Sequence, residues 1–152
     1  MSITRAFALL APVPEIHLIS GQEVCTQQGK VAFGSRVFEL FRKLDTARGK
    51  DEIDVFIYAS LPEESIGAMV SWQAVYVGHV EARRNGTHPA GAKLRPTTAY
   101  ETDKPNSWVI YWEVRDLHPI DPFPIKSLRG FDKKAFYTPH FVPETPLLIE
   151  YP

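Results

Sequence analysis

Hydrophobic positions fall along this chain in short runs, most with the spacing of β-strands and one with the spacing of a helix. The densest run, Ile53-Asp54-Val55-Phe56-Ile57-Tyr58-Ala59-Ser60, is almost continuously apolar. It predicts a central strand covered on both faces. Val75 to Ala82 alternates apolar and polar positions and predicts a neighbouring strand. Trp108 to Leu117 predicts a third, Ala6 to Leu10 an opening strand, and Leu147 to Tyr151 a final edge strand. Glu15 to Ile19 is a further short apolar stretch, ended by Ser20-Gly21, and Gln22 to Lys30 is polar and weakly patterned. Behind Ser35, a natural N-cap, Val37, Leu40, Phe41 and Leu44 recur at helical spacing. They predict an amphipathic helix from about Arg36 to Asp45, with Glu39, Arg42 and Lys43 facing water.

The rest punctuates these elements. The segment from Leu61 to Ala68, with Glu63-Glu64 and Gly67, separates the first two strands, and Ser71-Trp72-Gln73 predicts a turn or a bulged strand start. Residues 83–107 carry Gly86, Pro89, Gly91, Pro96 and Pro105 and predict a long excursion between strands. His118 to Ile125 holds Pro119, Pro122 and Pro124, too many for a helix or a central strand. Lys126 to Gly130 predicts one helical turn, and Phe136 to Pro143 a short aromatic segment. Several strands with few helices imply an α+β domain or a small barrel. With 152 residues, this is one domain with a real core.

Charge and composition narrow the function. The net charge is -1, which argues against a protein held to nucleic acid mainly by neutralising phosphates while leaving room for a small local basic patch. Cys25 is the single cysteine, so no intramolecular disulfide or thiolate metal cluster can form, in keeping with a reducing cytoplasm. No apolar run is long enough to span a bilayer. The five histidines His17, His79, His88, His118 and His140 show no metal-ligand spacing, and no metal or cofactor is expected. No nucleophile triad, phosphate loop or dinucleotide fingerprint is present.

Three features suggest a binding site. Phe33-Gly34-Ser35-Arg36 opens the predicted helix, where backbone N–H groups and Arg36 suit a phosphate or a base edge. Trp108 and Trp112 share strand parity with Ile110 and are expected in the core. Trp72 lies outside a clear strand and is the better candidate for stacking on a base. Arg83, Arg84, Lys93 and Arg95 make a basic stretch of the excursion that suits a flap over a nucleic-acid backbone, although a surface charge run is more often solvated loop.

The chain also resembles the PUA-like superfamily, within it the EVE and ASCH domains. The resemblance runs from about Phe33 to Pro143. It rests on Asp54-Val55-Phe56-Ile57-Tyr58-Ala59-Ser60, then Tyr76-Val77-Gly78-His79-Val80-Glu81-Ala82, then Trp108 to Val114. These lead into the proline-bearing turn His118-Pro119-Ile120 and the turn Ile125 to Arg129. It implies a small pseudo-barrel of mixed and antiparallel strands with flanking short helices. It also implies a cleft for RNA or for DNA carrying a modified base, one nucleotide being extruded into it. The cleft residues so implied are Phe33, Gly34, Ser35 and Arg36, with Tyr58 and Ser60 at the strand end and Thr138 and His140 in the aromatic segment. Trp72 is the expected stacking wall. The Lys–Thr–Glu set of ASCH-type amidohydrolases is missing, so the expectation is a binding module rather than an enzyme. Two alternatives stand beside it. One is a small hydrolase or nuclease on the same fold, with His140 or Glu81 as general base. The other is a protein-interaction module using an exposed apolar surface from Pro119 to Pro124.

Overall fold

The computed structural model describes residues 2–60, 68–100 and 108–152. The segment with Glu63-Glu64 and Gly67, and the last part of the excursion with Pro105, lie outside the described residues. Six strands form one mixed sheet in the order β2-β5-β4-β3-β1-β6. They are β1 (Ile3–Pro14), β2 (Val31–Ser35), β3 (Glu52–Ser60), β4 (Met69–Glu81), β5 (Ile110–Pro124) and β6 (Leu147–Ile149). Helix α1 (Glu15–Gln28) joins β1 to β2, α2 (Phe38–Arg48) joins β2 to β3, and the short α3 (Thr97–Tyr100) precedes β5. Only β1 and β3 run parallel; the other pairings are antiparallel. The protein is thus a small α+β fold. Its sheet is open, with β2 at one end and β6 at the other, and is not closed into the expected barrel.

The central position predicted for Ile53 to Ser60 is observed. Residues 52–59 are all buried, with β4 on one side and β1 on the other. Both faces are covered. On one, α1 and α2 lay Leu18, Val24, Phe41 and Leu44 against Leu9, Val55, Tyr76 and Trp112. Phe41 stacks on Trp112 with ring centroids 6.1 Å apart. On the other, Ile125 and Leu128 close over Leu10, Phe56, Tyr58 and Val70.

Three sequence expectations change. Residues 15–28 are a helix, although the stretch lacks a helical hydrophobic period. Its buried face carries Ser20 and Gly21, while Ile16 and Ile19 are exposed. The second helix starts at Phe38 rather than Arg36, because Ser35 still belongs to β2 and its Oγ accepts the Val37 N–H at 3.1 Å. The proline-rich stretch 118–124 lengthens β5 past the Leu117 end predicted for it, and it is neither helix nor central strand, as expected. Among the described residues this outer half of β5 pairs with β4 alone, so prolines fit where no second ladder needs an N–H. Asp116, with φ 53, makes the bulge that turns β5 into this arm.

Helix α1 ends at Gly29, whose φ is 85 and whose N–H donates to the Cys25 carbonyl at 2.8 Å. This left-handed C-cap strains any residue with a Cβ. Among the described residues nothing lies within 4 Å of a Cβ placed there, so the backbone is what opposes substitution. Gly29→Ala is expected to cost about 1 kcal/mol and to lower Tm by about 3 °C. Thermal unfolding followed by circular dichroism checks this, and an unchanged Tm would contradict a left-handed helix end.

Candidate functional site

Segments far apart in sequence meet at one end of the sheet and enclose a cleft of about 380 Å³. Its floor is the end of β2 and the link to α2, from Phe33 to Val37. One side is the end of β1 with His17 of α1, and the other is Arg95, Ala99 and Trp108. Residues 144–146, just before β6, form the rim. The volume lies in the range of small-ligand clefts, roughly 300–1,000 Å³.

Gly34 explains the aromatic wall. Trp108 packs directly on the Gly34 backbone, so that a Cβ at residue 34 would sit 2.5 Å from its ring. The Val109 N–H donates to the Ser35 carbonyl at 3.0 Å and holds the chain beside Trp108 against β2. Trp108 itself is half-buried, and Phe33 and Trp112 lie deeper.

The polar groups come from α1 and the excursion. His17 Nδ1 is 2.8 Å from Thr98 Oγ1, which ties the start of α1 to α3. Arg95 is buried; it donates to the Ala32 carbonyl at 2.7 Å, and its guanidinium lies 4.8 Å over the Tyr111 ring. The Ala32 N–H donates to the Leu94 carbonyl at 2.7 Å, so this part of the excursion runs along the outer edge of β2. Arg36 is exposed at the mouth, and Glu144 is exposed on the rim.

Under the excursion lies a buried polar anchor. Glu113 accepts from Lys30 at 2.9 Å and from His88 Nε2 at 3.1 Å. His88 Nδ1 accepts the Ala90 N–H at 2.9 Å, which leaves the ring proton on Nε2, directed at the carboxylate. Burial pushes the Glu113 carboxyl up, but the hydrogen bonds from His88 and Lys30 outweigh it and hold it below the usual 4.5. Tyr111 adds a hydrogen bond to the Gly86 carbonyl. The excursion is therefore fastened to β5 before it reaches the cleft wall.

A second polar cluster joins α2 to β4. Asp45 accepts from Arg48 at 2.7 Å and from the Tyr76 hydroxyl at 2.9 Å, and it also meets His79. Burial, then the Asp45 carboxylate, raise the Tyr76 phenol far above its ordinary value. None of these residues lines the cleft, and the cluster fixes a helix to a strand. Among the described residues no group of three or more His, Cys, Asp or Glu is placed to hold a metal.

The sequence-derived candidates divide. Phe33, Gly34, Ser35 and Arg36 all line the cleft. Tyr58 does not. It sits beside Pro12 in the β1–β3 ladder, but its side chain is buried in the second core. Ser60 is half-buried at the end of β3, opposite Pro14. Trp72 is 6% exposed and belongs to the core beneath the helices, so the aromatic wall is Trp108 instead. Thr138 and His140 are exposed on the C-terminal segment and do not line the cleft, nor does Glu81. Sequence reasoning missed His17, Trp108 and Glu144, and it read Arg95 as part of a flap or solvated loop where the structure buries it in the cleft wall. The available signal was Gly34, since a glycine inside a strand marks a close approach.

No known family, curated protein or solved structure matches the chain. No helix among the described residues is long and apolar enough to cross a membrane.

Proposed function

We propose that the protein is a nucleic-acid reader of the PUA-like kind, taking one unstacked or modified base into the cleft beside Trp108. The observation that carries this reading is the lining itself. A half-buried indole stands beside Arg36, Arg95 and His17 in a space of about 380 Å³. Recognition of a splayed-out base asks for an aromatic face and hydrogen-bonding groups at its edge. The open sheet departs from the pseudo-barrel of that superfamily, so support comes from the cleft and not from barrel closure. Few cations line it, so binding should depend on base identity more than on salt.

Titration with short single-stranded RNA and DNA, with and without modified cytosine or adenine, at two salt concentrations tests the proposal. Binding that prefers one base is expected, and Trp108→Ala is expected to weaken it about tenfold through lost stacking. Arg36→Ala, at an exposed position, should weaken it less. Absence of binding to every oligomer, or full affinity in the Trp108→Ala chain, would refute the reading. The hydrolytic alternative gains no support, since Glu81 and His140 stand outside the cleft. The interaction alternative required an exposed apolar surface from Pro119 to Pro124. There Ile120 and Phe123 pack against the second core.

A further inference from the structure

The stretch 126–141 has a composition unlike the rest of the chain. It carries four cations (Lys126, Arg129, Lys133 and Lys134) against one anion, Asp132. That is +3 in a protein whose net charge is -1. Aromatic residues are interleaved with them: Phe131, Phe136, Tyr137 and Phe141. Phe131 is 45% and Phe136 61% exposed. Lys126, Lys133 and Lys134 are exposed as well.

The fold makes this stretch a built surface. Residues 128–137 double back on themselves: the Tyr137 N–H donates to the Leu128 carbonyl at 2.8 Å, and Arg129 bridges Phe136. The hairpin so formed continues the sheet beyond β6, with Phe131 N–H bonded to the Leu148 carbonyl and Glu150 N–H to the Arg129 carbonyl. Phe131 meets Phe7 edge-on at 5.7 Å. Tyr137 and Phe141 stack at 4.4 Å. Lys133 and the Tyr137 hydroxyl both lie against Gly130, so an ammonium stem and an aromatic ring are side by side. Besides Asp132, Glu150 brings a carboxylate to the hairpin, where it accepts the Asp132 N–H at 3.0 Å.

We infer that this hairpin is a second contact surface, for the backbone and stacked bases of single-stranded nucleic acid. Cations that track phosphates and aromatic faces that accept any base are the two parts of a sequence-tolerant single-strand site. The surface sits a few residues along β6 from the cleft rim, roughly 10 Å at strand rise. An oligomer seated with one base in the cleft can extend onto it. The inference rests on the proposed base-reading role for the choice of polymer, but it places the contact elsewhere.

The test uses the full chain and an oligouridylate of about twelve nucleotides, with uridine monophosphate as a probe of the cleft alone. The triple variant Lys126→Gln/Lys133→Gln/Lys134→Gln changes exposed side chains only, and circular dichroism confirms that it folds. It is expected to bind the oligomer at least tenfold more weakly at low salt, with a salt slope lower by about 2, roughly 0.7 per lysine. Phe136→Ala is expected to weaken oligomer binding severalfold at any salt. Neither change should alter binding of the mononucleotide, whereas Trp108→Ala should. Unchanged affinity and slope in the triple variant would overturn the inference and leave the cleft reading standing. Failure of the unaltered protein to bind the oligouridylate would overturn the inference, because a sequence-tolerant surface accepts any base, whereas the cleft reading falls only if every oligomer of the first titration fails to bind. A protein ligand on this hairpin, with no oligomer binding, would overturn the inference as well.

Discussion

Gly34→Val is expected to lose about 2–3 kcal/mol of stability and all binding at the cleft, although valine is much the better strand former. Local propensity alone predicts a gain, because β-branched residues suit a pleated strand and glycine does not. The packing reverses the sign. Ring atoms of Trp108 would lie 2.5–2.7 Å from the new Cβ, closer than any real contact. Trp108 is a rigid bicyclic side chain, so it must leave the β2 backbone altogether. Forcing volume into an occupied contact costs about 1–3 kcal/mol, and valine adds two methyl groups beyond the Cβ. The expelled indole takes the aromatic wall with it. Urea denaturation followed by tryptophan fluorescence measures both effects, since the emission of Trp108 should move toward that of an indole in water. A variant as stable as the original, with binding intact, would show that Trp108 does not rest on Gly34.

The second large effect is expected from Glu113→Ala, at about 3 kcal/mol. Glu113 is 5% exposed and accepts from two donors. Removing it leaves the buried His88 N–H without an acceptor, at a cost of about 1–3 kcal/mol, and adds the loss of a charge-assisted bond to Lys30. The excursion should then loosen from β5, and Arg95 and Ala99 should lose their fixed place in the cleft wall. The pH dependence separates the carboxylate from its volume. The folded state holds the Glu113 carboxyl below its ordinary 4.5. Its ionised form is thus favoured by folding, and the contribution is complete above pH 4.5. It is lost as pH falls through the lower folded value, where protonation releases the donors. The stability difference between Glu113→Gln and the original protein should therefore shrink steadily below pH 4.5 and be constant from pH 5.5 to 7. A difference that did not narrow in acid would assign the effect to packing.

Much of the sheet was legible in the sequence because its central strands need little context. Residues 53–60 are apolar on both faces since helices cover one and the C-terminal segment the other, and a run of that kind has few alternatives. The amphipathic pattern of α2 was equally plain, with Phe41 and Leu44 inward and Glu39, Arg42 and Lys43 outward. Helix α1 was not legible, because its packing inverts the usual pattern. It approaches β5 and the excursion closely through Gly21, with Leu117, Phe33 and Pro96 about 3.4–3.5 Å from a Cβ there. It buries Ser20 and leaves Ile16 and Ile19 outside. Half of the cleft was legible, as the strand-to-helix junction from Phe33 to Arg36. Its other half depends on residues brought from positions 17, 95, 108 and 144, and no local period encodes such a meeting. Extending the parity of β5 backward places Trp108 in the core. The strand begins only at Ile110, so parity does not reach it.

The position of β1 has a consequence for how the chain assembles. Strand β1 lies between β3 and β6, pairing Leu9 with Val55 on one side and with Leu148 on the other. Its two ladders close contacts across spans of dozens of residues and of nearly the whole chain. Loop closure on that scale must be met before any hydrogen bond repays it, which makes folding slow for a domain of this size. Until residues 147–149 dock, β1 presents an open edge with Leu9 and Leu10 beside it. An edge of that kind is a template for pairing with another chain, so the unfinished sheet is most exposed to aggregation at β1.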